Sequence, residues 1–226
     1  MGHPEGDDRD AAWNREALRL HRRYQIEIVE ACGLCPWAEG ARLGGKVRER
    51  IVLGEAKGAV LEGSLGALAE LARDRDVEVG FLVYPRFAVT RFGLEAFAAE
   101  LRTADGARYE IGRVPFVFAA FHPDAEPDTG DPERLIPFLR RTPDPTLQLV
   151  RASVLDSVRS LSSQGTQFVS LSALEQMKSG QVPGVPLRER IARTNLATVK
   201  RMGVDAMRAA LDDIRRDREE TYGRLA

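Results

Sequence analysis

The sequence predicts an α/β fold: a small, mainly parallel sheet of three to four strands, flanking helices and a helical C-terminal part. Three observations predict it. Short β-rich apolar runs alternate with segments of helical period between residues 47 and 121. Two of those runs stop at turn-forming residues, 77–84 at Pro85 and 114–121 at His122-Pro123. Beyond them the chain is helical by period, with only a possible short strand at 168–171.

Each element has its own reason. Residues 1–10 are polar and acidic and read as a disordered tail. Over 12–31, Trp13, Ala17, Leu20, Tyr24 and Ile28 recur on one helical face, and Gly33 supplies a stop. A short helix is expected from Pro36 to about Leu43, ended by Gly44-Gly45. Residues 47–53 alternate and read as a strand. Over 59–73, Leu61, Leu65, Leu68 and Leu71 share a helical face, weakened by Gly63 and Gly66. Then come a buried strand at 77–84, a helix at 92–103 with Phe97, Ala98 and Leu101, and a third strand at 114–121. That order suits right-handed crossovers.

After the third strand the signals change. Asp131-Pro132 and Asp144-Pro145 each look like a helix N-cap followed by proline at the first helical position. They predict a short helix over 132–141 and a longer one over 145–161, with Leu147, Val150, Val154, Val158 and Leu161 buried. Residues 162–185, rich in Ser, Gln and Gly, read as a flexible insertion. One helix then carries Leu187, Ile191 and Val199 and stops at Gly203. Another is capped by Asp205 and carries Met207, Leu211 and Ile214. The organisation is thus a tail (1–10), a single α/β domain (11–203) and a charged C-terminal helix (204–226).

Composition narrows the function. At 226 residues the chain can bury a substantial core, and it has no apolar run of about 18 residues to span a membrane. A formal charge of −1 makes nucleic acid an unlikely partner. Two cysteines cannot build a disulfide framework, and the acidic start shows no signal peptide, so a cytoplasmic location is the default expectation. Four of the 33 basic side chains are lysines. Base composition of the genome explains most of that bias, but guanidinium forks also match carboxylate and phosphate.

Three places could carry chemistry. Cys35, before Pro36, would sit at a helix N-terminus, where backbone N–H groups favour a thiolate nucleophile or metal ligand; a buried structural cysteine is the alternative. With Cys32 it also has the spacing of a dithiol redox pair. His122 leaves a strand end, where open α/β sheets bind ligands, and Tyr84 and Arg86 leave the neighbouring strand equivalently. His122 could act as general acid/base, could join Cys35 and Asp124 around a divalent metal, or could simply hydrogen-bond its own loop. His3 and His21, in a tail and a charged helical stretch, read as solvated. Arg140 and Arg141, before a helix start, suit a small anion, and Gln148 and Arg151 would share a helical face one turn on. Helix-end arginines capping carbonyls are the alternative there.

Several blocks resemble one family. These are Gly33-Leu34-Cys35-Pro36-Trp37-Ala38, Ala119-Ala120-Phe121-His122-Pro123, Arg141-Thr142-Pro143-Asp144-Pro145 with 147–151, and 195–203. In that order they are similar to the bacterial and plastid domain-of-unknown-function family 1415, over about residues 24–203. The resemblance implies roles for Cys35, His122, Arg141, Arg151 and Asn195. It assigns no reaction. The chain departs from the pattern at Gln148, where the family tends to have histidine, and at Glu39, where it often has lysine; Cys32 is not part of the pattern.

The resulting expectation is a small-molecule enzyme. Cys35 and His122 would be catalytic, and Arg140, Arg141, Gln148, Arg151, Asn195, Tyr84 and Arg86 would bind a carboxylate or phosphate. A non-catalytic protein binding a metal or an anionic metabolite, and a thiol–disulfide oxidoreductase using Cys32 and Cys35, are the alternatives.

Overall fold

The computed structural model describes residues 4–35, 38–110, 113–124, 139–156 and 187–225. Helix α1 (Pro4–Arg23) runs into a wider π-helical segment (Tyr24–Glu30). Then come α2 (Ala38–Leu43), β1 (Val47–Ile51), α3 (Lys57–Arg73), β2 (Val79–Val83), α4 (Arg91–Gly106), β3 (Phe116–Phe121) and β4 (Thr146–Arg151). Two helices close the chain, α5 (Leu187–Met202) and α6 (Val204–Leu225). The expected helix over 132–141, except at its end, and the insertion at 162–185 lie outside the described residues, as does Pro36.

The sheet has four strands in the order β1-β2-β4-β3. β1 pairs with β2 in parallel, and β4 pairs antiparallel with both β2 and β3. The three expected strands do run the same way. The mainly parallel sheet does not result, because a fourth strand inserts between the second and third in the opposite sense. That strand replaces the helix expected from residue 145. Residues 146–151 follow the two-residue period of a strand: Leu147 and Leu149 enter one core, while Gln148 faces Phe81 and Ala119 on the other side. Helical structure begins at 152–156, and 157–161 of the expected helix lie outside the described residues. The Asp-Pro signature misled because both residues serve the sheet: the Pro145 carbonyl accepts the Tyr84 N–H at 2.9 Å.

The two sheet faces hold separate cores. On one, α3 and α4 pack Leu68, Leu71, Leu94, Phe97 and Leu101 onto Leu82, Phe116, Leu147 and Leu149. On the other, the π segment, α5 and α6 gather Tyr24, Ile28, Leu34, Val199, Met207, Leu211 and Ile214 around Phe121 and Leu139. Trp13, Ala17 and Leu20 of α1 meet Tyr222 of α6 beside the β1 edge. This is an α/β/α arrangement, and burial of these apolar side chains is its main stabilising term.

Two further expectations change. Helix α1 starts at Pro4, so it takes up most of the stretch read as a tail. His21 is not solvated: it is 0% exposed, its ring 4.7 Å from that of Phe81. The charged neighbours that suggested exposure lie on other faces of the same helix, since Arg22 is exposed and Arg19 and Arg23 reach across to α6. The π segment ends through i→i−5 bonds, Ala31 N–H to Ile26 and Leu34 N–H to Val29, and Gly33 turns the chain at a φ of 61°. That left-handed turn suits glycine and ends the helix just before Leu34 and Cys35. Among the described residues, no helix is long and apolar enough to cross a membrane.

Candidate functional site

The end of the sheet where β3 stops and β4 begins collects part of the expected site. Leu34, next to Cys35, packs in one cluster with Phe121 and Leu139. The Arg140 guanidinium lies over the Phe121 ring, 5.0 Å from its centroid. The Arg140 carbonyl accepts N–H bonds from His122 and Thr142, both at 3.0 Å. Arg141 donates from Nε to the Pro123 carbonyl at 2.8 Å, so it ties its own segment to the strand end.

Tyr24 joins these pieces. Its hydroxyl is buried and donates to the Leu139 carbonyl at 2.6 Å. Burial pushes the phenol above its usual range, the Arg140 charge works against that rise, and negative charge at Cys35 adds to it. The carbonyl that the phenol reaches belongs to the residue before Arg140. Sequence reasoning counted Tyr24 only as a core residue. The available signal was a hydroxyl-bearing residue on the buried stripe, shortly before the Cys35 block.

His122 is half of the expected pair, and both its ring nitrogens are engaged by backbone. Nε2 lies 2.9 Å from the Val89 carbonyl, and Nδ1 is 3.1 Å from the Asp124 amide. A carbonyl can only accept and an amide can only donate. The neutral ring thus carries its proton on Nε2 and accepts at Nδ1. In this arrangement His122 bonds its own loop through the Asp124 amide and also fastens the segment before α4 to the end of β3. Asp124 is exposed, its carboxylate 4.0 Å from Nδ1. Among the described residues, no group of three His, Cys, Asp or Glu side chains is arranged to hold a metal.

Other candidates are not brought to this corner. Gln148 and Arg151 do not share a face, because in a strand three residues apart means opposite sides. Arg151 sits at the far end of β4, about 17 Å of strand from Thr146. Its guanidinium donates to the carbonyls of Leu71, Asp74 and Val77, at and beyond the end of α3. Tyr84 is fully buried in the α3/α4 core with its hydroxyl on Ser64. Arg86 pairs with Asp10 at 2.7 Å and lies over Trp13. Asn195 is buried on α5, the helix whose Leu196 and Val199 reach the Phe121 cluster. Cys32 is buried, its thiol 3.9 Å from the Glu27 carbonyl, and burial pushes that thiol up. The two cysteines are not joined as a disulfide.

Asp144 carries the largest surprise. It caps no helix; its carboxylate is 0% exposed and faces α6. Arg218 Nε donates to Oδ1 and the Tyr222 hydroxyl to Oδ2, each at 2.7 Å. Its backbone carbonyl also accepts the hydroxyls of Thr142 at 2.6 Å and Thr146 at 2.9 Å.

Fold and site together define a mixed α/β protein with a buried tyrosine and an arginine gathered at one end of the sheet. The chain belongs to the protein-of-unknown-function family DUF1415, whose model matches residues 19–172. No curated protein matches the chain, and no solved structure does. The family match takes in the π segment, all four strands and the 139–151 block. Asn195 and the two closing helices fall beyond it.

Proposed function

We propose that the chain is a small-molecule enzyme whose nucleophile is Cys35 and whose anion anchor is Arg140, with Arg141 alongside. The observation that carries this reading is a packing one: Leu34, the neighbour of Cys35, lies in one cluster with Phe121, and the Arg140 guanidinium sits over that Phe121 ring, 5.0 Å from its centroid. A cation beside a thiol favours the thiolate, the form that attacks. The same cation would hold a carboxylate or phosphate of the substrate next to the sulfur. The site faces the end of the sheet, where α/β folds bind ligands. His122 and Arg151 are given no chemical role, since their polar atoms serve the backbone.

Two alkylating reagents that differ in charge test this. Both give the same step: the Cys35 sulfur bonds to the reagent's methylene carbon and iodide leaves. Iodoacetate carries an anion and iodoacetamide does not. In a Cys32→Ser background, the iodoacetate-to-iodoacetamide rate ratio at Cys35 is expected to exceed that of free cysteine several-fold. Arg140→Ala should return it to the free value. A ratio equal to that of free cysteine, unchanged by Arg140→Ala, would contradict the reading and leave Cys35 an ordinary thiol.

A further inference from the structure

We infer that the C-terminal helix α6 positions the proposed anion anchor, acting through Asp144; the inference rests on the function proposed above. Asp144 is three residues after Arg141 and buried, on a segment built almost entirely from hydrogen bonds. Within it, Thr142 bonds the Arg140 carbonyl through its N–H and the Asp144 carbonyl through its hydroxyl. The start of β4 is held from both sides, by the Thr146 hydroxyl on Asp144 and by the Tyr84 N–H on Pro145. The one charged group buried in this block is the Asp144 carboxylate, and the two hydrogen bonds it receives from side chains come from α6.

That arrangement has a physical consequence. A buried carboxylate is costly unless charge-assisted donors satisfy it. Arg218 and Tyr222 satisfy both oxygens. Without them the carboxylate must reach water, and 140–146 must move with it. Helix α6 is in turn fixed to α1: Arg19 makes two bonds of 2.7 Å to Asp217, and Arg23 reaches both Asp217 and Asp213. Asp144, Arg218 and Tyr222 are therefore positioning residues, and the pose of Arg140 depends on a helix outside the family match.

Tyr222→Phe removes one hydroxyl and keeps the ring against Trp13, 4.4 Å away. Asp144→Asn keeps the shape and removes the charge. Backbone hydrogen exchange of residues 139–146, with β2 as internal reference, reads the position of the block independently of any cysteine chemistry. Both variants are expected to exchange at least several-fold faster in 139–146 with β2 unchanged. The iodoacetate preference of Cys35 should fall by a similar factor while the iodoacetamide rate stays within about twofold, which general loosening would not produce. Unchanged exchange in 139–146 would overturn the inference, whatever Cys35 does. Faster exchange with an unchanged iodoacetate preference would overturn the link to Arg140. If Arg140→Ala itself leaves the preference intact, the proposed function fails instead, and the exchange data still decide whether α6 holds the block.

Discussion

His21 has no hydrogen-bond partner on either ring nitrogen among the described residues, and it is completely buried. Burial, with the Arg22 charge adding to it, lowers its pKa from 6.5 to about 3. Between those values the unfolded chain takes up a proton that the folded chain refuses. Its contribution to stability is therefore full above pH 6.5 and is lost progressively as the pH falls toward 3. Taking the protein from pH 7 to pH 5 should cost about 2 kcal/mol from this group alone. Unfolding free energies from urea titrations at the two pH values should differ by that much more in the parent protein than in His21→Leu; an equal difference would show that the ring titrates normally. The same scale shows what could be read from the chain. Cys35 and Arg140 stood out because their neighbours form local motifs. Asp144 was misassigned because Asp-Pro is also a local motif, whereas its Arg218 partner is 74 positions away. His21 was misplaced for a related reason: sequence neighbours report charge, not which side of a helix faces the sheet.

At the level of elements, β4 explains the difference between the expected and observed sheets. The run 146–151 fits either a helix or a strand over six residues, and only pairing with β2 and β3 decides it. That pairing puts Gln148 and Arg151, which a helical reading had placed on one face, on opposite faces of the sheet. Arg151 then becomes a clamp, since one guanidinium serves the Leu71, Asp74 and Val77 carbonyls and covers the Phe116 ring at 4.9 Å. Arg151→Ala should lower stability by about 2–4 kcal/mol, from lost charge-assisted hydrogen bonds and packing. The reagent preference of Cys35 should not change. A urea titration alongside the two-reagent assay checks both; a large fall in the preference without loss of stability would return Arg151 to the site. The helices were more legible than this strand, because α1, α3 and α6 repeat their apolar stripe over several turns.

Across the whole molecule, the three expected strands do run in the same direction, and the helices between them do cover one face. The other face is assembled from the two ends of the chain, and that closure could not be seen in local patterns. The α1–α6 ion pairs and the Asp144 latch are contacts between distant segments with no periodic signature. The corner proposed as the site is the end of the sheet where Tyr24, Phe121, Leu139 and Arg140 come together. Ligand binding at that corner should show as competition by a simple anion. Inorganic phosphate, added at constant ionic strength during iodoacetamide alkylation of the Cys32→Ser protein, should slow modification of Cys35 in a saturable manner. It should have no effect in Arg140→Ala. An alkylation rate that phosphate leaves unchanged, or slows equally with and without Arg140, would contradict the account.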